Sequence, residues 1–235
     1  MVERVLVTGS NKGIGLGVCA AFADRGADVL ATCRTGGPEL AALGVRVIEG
    51  IDVADDGVVD RLRAAIGPDP LDVLVANAGI NVDAPGLDDL DLQALERTFQ
   101  VNALGAVRTV MAALPSLRAG SKIMLVGSSD PLNRRHPVGA GNYGYWMAKA
   151  ALASFGHGLA RDVRERGIAV VISAPGPTDT PMLRNVHAEG RTPLLPGDAA
   201  DPYEIGRLFR DRIDELTLDA SPAWQAGPRG EPAAP

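Results

Sequence analysis

The chain has little of what several kinds of function would need. It holds only two cysteines, Cys19 and Cys33, and three histidines, His136, His157 and His187, scattered along 235 residues. The cysteines are not spaced as a metal knuckle and the histidines are far apart, so no metal site is expected. There is no basic excess: 23 Lys and Arg stand against 29 Asp and Glu, a formal charge of -6. That excludes the electrostatic footprint expected of a protein that binds nucleic acid or an anionic membrane surface. No apolar run reaches the ~20 residues that cross a bilayer. Met1-Val2-Glu3-Arg4 leads straight into a strand-like segment and not into a leader, and no internal repeat or second domain is visible. A reducing, cytoplasmic setting is the expectation. What is present is an ordinary globular mixture, 46% hydrophobic and 22% charged, sufficient for one α/β domain with a substantial core.

The chain opens with a short apolar run, Arg4-Val5-Leu6-Val7, that ends in Thr8-Gly9. A glycine-rich turn follows, T-G-x-x-x-G-x-G over Gly9, Gly13 and Gly15, and then a helical stretch from Ile14 to Arg25 stopped by Gly26. Strand, glycines and helix in that order form the start of a nucleotide-binding βαβ unit. The turn lets backbone approach a pyrophosphate, and the helix N-terminus adds amide donors and positive dipole. Asn11, Lys12 and Ile14 lie within the same turn. The next strand, Ala27 to Cys33, is followed by Arg34, with no acid from Ala31 to Arg34. A bare ribose hydroxyl is usually met there by a carboxylate, whereas a 2′-phosphate wants a guanidinium, and Lys12 adds a second cation. Both point to NADPH over NADH.

A third strand over Val45 to Ile51 ends at Asp52, which either accepts a hydrogen bond from an adenine amino group or caps a helix over Asp55 to Ile66. Leu71 to Ala76 is a fourth strand, continuous enough to be buried on both faces, and is closed by Asn77-Ala78-Gly79. Small residues there let a cofactor lie against the backbone. Asp89 to Leu114 reads as one long helix with Asn102 and Gly105 inside it; an interior Asn has a polar contact to make or distorts the turn. A fifth strand, Lys122 to Gly127, runs into Ser128-Ser129, either of which could polarise a bound carbonyl. Asp130 to Gly141 reads as loop. Ile168 to Ser173 is the sixth strand, and a Pro- and Gly-rich stretch, 177–200, reads as a lid without a long periodic run. A last helix covers Asp201 to Leu216, and residues 226–235 form a loosely ordered tail.

Between the fifth and sixth strands lies a helix that begins near Asn142 and ends at Gly167. It carries Tyr145 and Lys149. At roughly 100° per residue, four steps bring a side chain almost back to its starting direction, so the two share a face. Tyr143, six residues from Lys149, points elsewhere. A phenol beside an ammonium is a proton-transfer pair. Gly156 and Gly158 in the same helix suggest close packing by another helix, a candidate subunit contact.

Taken in order, these features resemble a short-chain dehydrogenase/reductase from end to end apart from the tail. The matching positions are Thr8-Gly-x-x-x-Gly13-x-Gly15, Asp52, Asn77-Ala78-Gly79, Asn102, Ser128, Tyr145-x-x-x-Lys149 and Pro175-Gly176-x-x-x-Thr180. The glycine turn is similar to that of NADPH-linked carbonyl reductases, and Gly141 to Tyr145 to the sniffer/C-factor branch. Trp146 and Met147 are bulkier than the usual residues between Tyr and Lys, and helix geometry points them away from the Tyr145 face. The resemblance implies a doubly wound parallel sheet with helices on both faces, a Rossmann fold. It implies a catalytic set: Tyr145 as general acid, Lys149 lowering its pKa and holding the nicotinamide ribose, Ser128 on the substrate oxygen, and Asn102 holding a relay water. Thr180, with Pro175 and Gly176, would hold the nicotinamide end. The implied activity is NADPH-dependent reduction of a small carbonyl compound or oxidation of an alcohol, by a homodimer or homotetramer. A nucleotide-sensing scaffold and a redox-neutral epimerase or dehydratase are the competing readings on this fold.

Overall fold

Seven short strands alternate with eight helices among the described residues. The strands are β1 (Arg4–Thr8), β2 (Asp28–Thr32), β3 (Arg46–Ile48), β4 (Leu71–Ala76), β5 (Leu117–Val126), β6 (Ala169–Ala174) and β7 (Ala223–Ala226). The helices are α1 (Gly13–Ala23), α2 (Pro38–Ala42), α3 (Val58–Ile66), α4 (Leu92–Phe99), α5 (Gly105–Ala113), α6 (Tyr143–Val163), α7 (Pro181–Ala188) and α8 (Pro202–Glu215). The computed structural model describes residues 2–82, 86–128, 142–190, 192 and 198–226.

Side-chain parity explains why the sheet is covered on both sides. In β1, Val5 and Val7 enter one apolar cluster and Leu6 the other. The same split separates Val73 and Val75 from Leu74, and Met124 and Val126 from Ile123 and Leu125. Successive residues of a strand point to opposite faces, so a run apolar at every position needs a cover on each. One cover is α1 with α8, which bring Phe22, Phe209 and Ile213. The other is α5 with α6, which bring Val110, Leu152, Leu159 and Val163. Burying side chains of this size contributes ~1.5–3 kcal/mol each.

The strands are all parallel, in the order β3-β2-β1-β4-β5-β6-β7. The chain winds outward in one direction from β1 to β3 and then returns to start the other half at β4. The β1/β4 boundary is therefore the switch point, and a crevice opens at the carboxyl ends of these two strands. This is the doubly wound Rossmann architecture expected from the motifs.

Several elements differ from the sequence reading. β7 adds a seventh strand, pairing Ala223 to Ala226 with Val171 to Ala174. The helix expected over residues 89–114 is interrupted: α4 ends at Phe99, a π-helical segment covers Gln100–Leu104, and α5 starts at Gly105. The expected structureless lid contains α7, which starts with a proline in its first turn and is capped by the Thr180 side chain on the Leu183 amide. The base of that segment is pinched shut. Ala200 N–H donates to the Pro177 carbonyl at 3.0 Å, Asp179 N–H donates to the Ala200 carbonyl at 2.9 Å, and Thr178 and Ala200 form an isolated bridge. The tight packing at Gly156 is against the sheet and not another helix: a Cβ there would press into Ile172 and Leu125, while beside Gly158 there is open space.

Gly17 and Gly206 mark where α1 and α8 cross almost backbone to backbone. A Cβ on Gly206 would overlap the Gly17 carbonyl, and one on Gly17 would overlap the Pro202 carbonyl. The last helix is thereby locked onto the helix that begins at the glycine-rich turn. Among the described residues no helix is long and apolar enough to cross a membrane, and no cluster of three or more His, Cys, Asp or Glu could hold a metal ion.

Candidate active site

The glycine turn is built for close approach. Gly9 has φ 68°, a left-handed conformation, and a Cβ there would sit 2.8 Å from the Ala78 Cα. Asn77 clamps the turn from β4: its Nδ2 donates to the Thr8 carbonyl at 2.9 Å and to the Gly9 carbonyl at 3.2 Å. Thr8 Oγ1 returns the bond, accepting from the amides of Asn77 and Ala78 at 3.1 and 3.2 Å. The Asn-Ala-Gly segment thus does more than leave room; it ties the two strands of the switch point together. Gly15 fits beneath, where a side chain would overlap the Gly9 carbonyl. Asn11 Nδ2 donates to the Thr35 carbonyl at 3.1 Å and tethers the segment after β2 to the turn. No side chain caps the N-terminus of α1, whose first turn lines the crevice.

A cavity of about 290 Å³ extends from this turn. At one end stand Lys12, Cys33, Arg34 and Asp52; the middle is walled by Gly9, Gly13, Ile14, Gly15 and Asn77 to Gly79; the other end holds Tyr145, Lys149, Pro175 and Thr180. Glycine backbone, an uncapped helix N-terminus and two cations, with no acid from Ala31 to Arg34 at the end of β2, form a cradle that fits an anionic dinucleotide carrying an extra phosphate. A Cβ on Gly13 would lie 3.0 Å from Thr180 Cγ2, so the start of α7 rests directly over the turn. Also in the wall, and not singled out from sequence, are Arg97, Asn81, Val82, Met182 and Asn185.

Asp52 does not cap a helix. Its Oδ1 accepts from the Ala54 amide at 3.0 Å, and α3 starts only at Val58, with Gly57 in the cap position. Its Oδ2 accepts from Arg97 Nη2 at 2.6 Å. Burial works to raise the carboxyl pKa. The Ala54 amide, Arg97 and the nearby Arg34 outweigh it and hold Asp52 below the usual carboxylate range.

At the other end, Lys149 is 5% exposed and Nζ donates to the Val126 carbonyl at 2.8 Å. Nζ lies 5.6 Å from the centroid of the Tyr145 ring. Burial lowers the lysine from 10.5 to about 8, since the charged form has lost water. The Tyr145 hydroxyl is hydrogen-bonded to Ser128. Burial pushes the phenol up to about 12, and the Ser128 bond offsets only part of this. The expected depression of the Tyr145 pKa by Lys149 is therefore not what this state shows: desolvation dominates and keeps the phenol protonated. Tyr145, and not Tyr143, faces the cavity, as the helix geometry requires. Trp146 is closer than expected. Its ring meets that of Tyr145 edge to face, with centroids 5.1 Å apart at 81°, whereas Met147 is exposed.

Three expected residues lie outside the cavity wall. Ser128 is hydrogen-bonded to the Tyr145 hydroxyl; Ser129 and the loop 130–141 fall outside the described residues. Asn102, 1% exposed in the π-helical segment, spends both side-chain atoms on one residue. Oδ1 accepts from the Ile80 amide and Nδ2 donates to the Ile80 carbonyl, each at 2.8 Å. Its amide group therefore fixes the segment after β4 beside the cavity, and one further acceptor position and one further N–H remain on it. Gly176 turns the chain with φ 75° and presents its carbonyl to Thr178 Oγ1 at 3.1 Å.

Residues 3–190 match the short chain dehydrogenase family. A 1-hydroxy-2-glutathionyl-2-methyl-3-butene dehydrogenase of Rhodococcus sp. (strain AD45) is 33% identical over 227 residues, covering 95% of this chain and 96% of that one. The cyclic-di-GMP-binding biofilm dispersal mediator protein of Escherichia coli (strain K12) is 34% identical over 182 residues, covering 76% and 74%. Among solved structures, a short chain dehydrogenase from Burkholderia cenocepacia J2315 in complex with NADP superposes with a TM-score of 0.80 at 31% identity, covering 97% of each chain.

Proposed function

We propose a specific chemistry from one premise: the chain belongs to the short chain dehydrogenase family. It is an oxidoreductase that exchanges a hydride between a nicotinamide cofactor and a carbonyl or alcohol carbon, and its cofactor is NADPH. Arg34 and Lys12 receive the 2′-phosphate at the carboxyl end of β2, the amides at the start of α1 receive the pyrophosphate, and Asp52 receives the adenine. Lys149, Pro175 and Thr180 hold the nicotinamide end.

The observation that carries this reading is the hydrogen-bonded Ser128–Tyr145 pair beside buried Lys149, on a cavity that begins at the glycine turn. The bound nicotinamide supplies the hydride. Tyr145, kept as a phenol by burial, donates its proton to the substrate oxygen as charge develops there. Ser128 orients the Tyr145 hydroxyl and shares the oxygen. Lys149, whose lowered pKa makes it a ready proton carrier, returns a proton to Tyr145. Asn102 positions Ile80 at the rim. Residues 177–200 act as the substrate lid, hinged on the neck at Thr178 and Ala200. The substrate is a small carbonyl or alcohol, and the protein works in the cytoplasm as a homo-oligomer.

The test is NADPH oxidation, followed by nicotinamide absorbance, across a panel of aldehydes and ketones. Turnover with NADPH well above that with NADH is the expected result. Tight NADPH binding without oxidation by any member of the panel would refute the reductase reading.

A further inference from the structure

Arg97, the ion-pair partner of Asp52 at the adenine end of the cavity, has no role in the scheme above. Asp52 lies in the segment that follows β3, and Arg97 sits in the last turn of α4, 45 residues further on. Both side chains line the cavity, and their 2.6 Å contact joins two otherwise separate walls. With side-chain exposures of 43% for Arg97 and 21% for Asp52, the pair is too open to matter much for stability. Its geometry matters more. Arg97 takes one lone pair of Oδ2, and the Ala54 amide takes one of Oδ1. A carboxylate offers about four acceptor positions, so two bonds fix its rotation and leave an acceptor position on each oxygen. A side chain held in this way loses little freedom when it accepts a further donor.

We propose that Arg97 is a positioning residue for adenine recognition, holding the Asp52 carboxylate so that its remaining lone pairs meet the exocyclic amine of the cofactor. The proposal rests on the NADPH reading given above. It is specific about which atom is read: the amine, a donor, is accepted, and a base with a carbonyl at that position is repelled. Arg97 acts through Asp52, so its loss changes which base is preferred and does not merely weaken binding.

The experiment measures dissociation constants by calorimetry for NADP+ and for its hypoxanthine counterpart, in which a carbonyl replaces the amine. The proteins are the wild type, Arg97→Leu and Arg97→Lys. A hydrogen bond to a charged group makes wild type favour NADP+ by roughly 10- to 100-fold. In Arg97→Leu the preference collapses to within about threefold, chiefly by weaker NADP+ binding, and Arg97→Lys restores part of it. In turnover, the same variant changes the KM for NADPH far more than kcat. A full wild-type preference in Arg97→Leu overturns the proposal, as does an equal weakening of both dinucleotides, which marks Arg97 as serving the fold alone. If wild type binds both equally, Asp52 does not read the amine and the proposal falls while the reductase reading stands. If wild type binds no NADP+, the reductase reading itself falls.

Discussion

Replacing Lys149 with methionine isolates the cost of burying an ammonium in this site. Lys149 is 5% exposed, and burial lowers its pKa from 10.5 to about 8. Between those values the unfolded chain holds a proton that the folded protein has released, so this group makes stability rise with pH. The penalty works out at about 3 kcal/mol at pH 7 and about 1 kcal/mol at pH 9.5, a recovery of about 2 kcal/mol. Other groups titrate in that window with the opposite sign. Burial pushes the Cys19 thiol from 9.0 up to about 12, and burial with the nearby Glu49 raises Cys33. Both keep protons that the unfolded chain sheds, which lowers stability as pH rises. The cysteines are common to wild type and variant and cancel in the comparison. The Val126 carbonyl loses its 2.8 Å donor in Lys149→Met, at a nearly pH-independent cost of about 1–3 kcal/mol. The assay is urea denaturation of the cofactor-free proteins under reducing conditions, followed by circular dichroism, from pH 7 to pH 9.5. Wild-type stability minus variant stability climbs by about 2 kcal/mol over that range. A constant difference would show that Lys149 is not a desolvated ammonium, and the reasoning would be wrong.

Three further outcomes follow from the same geometry. Tyr145→Phe removes the acid and lowers turnover by about 10²–10⁴-fold with little change in NADPH affinity, measured by steady-state kinetics and cofactor titration. Arg34→Leu lowers the preference for NADPH over NADH by roughly 10- to 100-fold in kcat/KM, the worth of a hydrogen bond to a charged group; an unchanged preference would place the 2′-phosphate elsewhere. Asn102→Leu strands the amide and carbonyl of Ile80 and destabilises the protein by about 3 kcal/mol in denaturant titration.

Much of the site was legible because its parts are local. β4 runs over Leu71–Ala76 as read, since a continuous apolar run stops at Asn77. The choice of Tyr145 over Tyr143 needed only the pitch of a helix. Other features depend on partners remote in sequence. Arg97 meets Asp52 across 45 positions, and nothing near Arg97 in the chain announces it. β7 is four residues long and pairs only because β6 offers an edge, so it has too few residues to show a period. α7 carried its start signals, Thr180 and Pro181, but flanking prolines and glycines masked them. The unusual placement of Asn102 hinted at a distorted turn, and the π-helical segment is that distortion. The Tyr145 pKa lies above what the neighbouring lysine alone implies, because charge proximity can be read from spacing and desolvation cannot.

The pinched neck at Pro177, Thr178, Asp179 and Ala200 has a consequence for how such a protein can diversify. Its two hydrogen bonds close the segment off from the sheet on one side and from α8 on the other, while α8 is anchored to α1 at the Gly17–Gly206 crossing. The two ends of the segment are thus held together at its base. Lengthening a closed loop costs only about 0.6 kcal/mol per doubling. Past the part of α7 that rests over the glycine turn and lines the cavity, the segment can be rewritten, residue by residue or by insertion, without disturbing that turn or the Tyr145–Lys149 pair. On the proposed reading of this segment as the substrate lid, substrate choice and hydride chemistry are held in separately editable parts of one chain, joined at the start of α7.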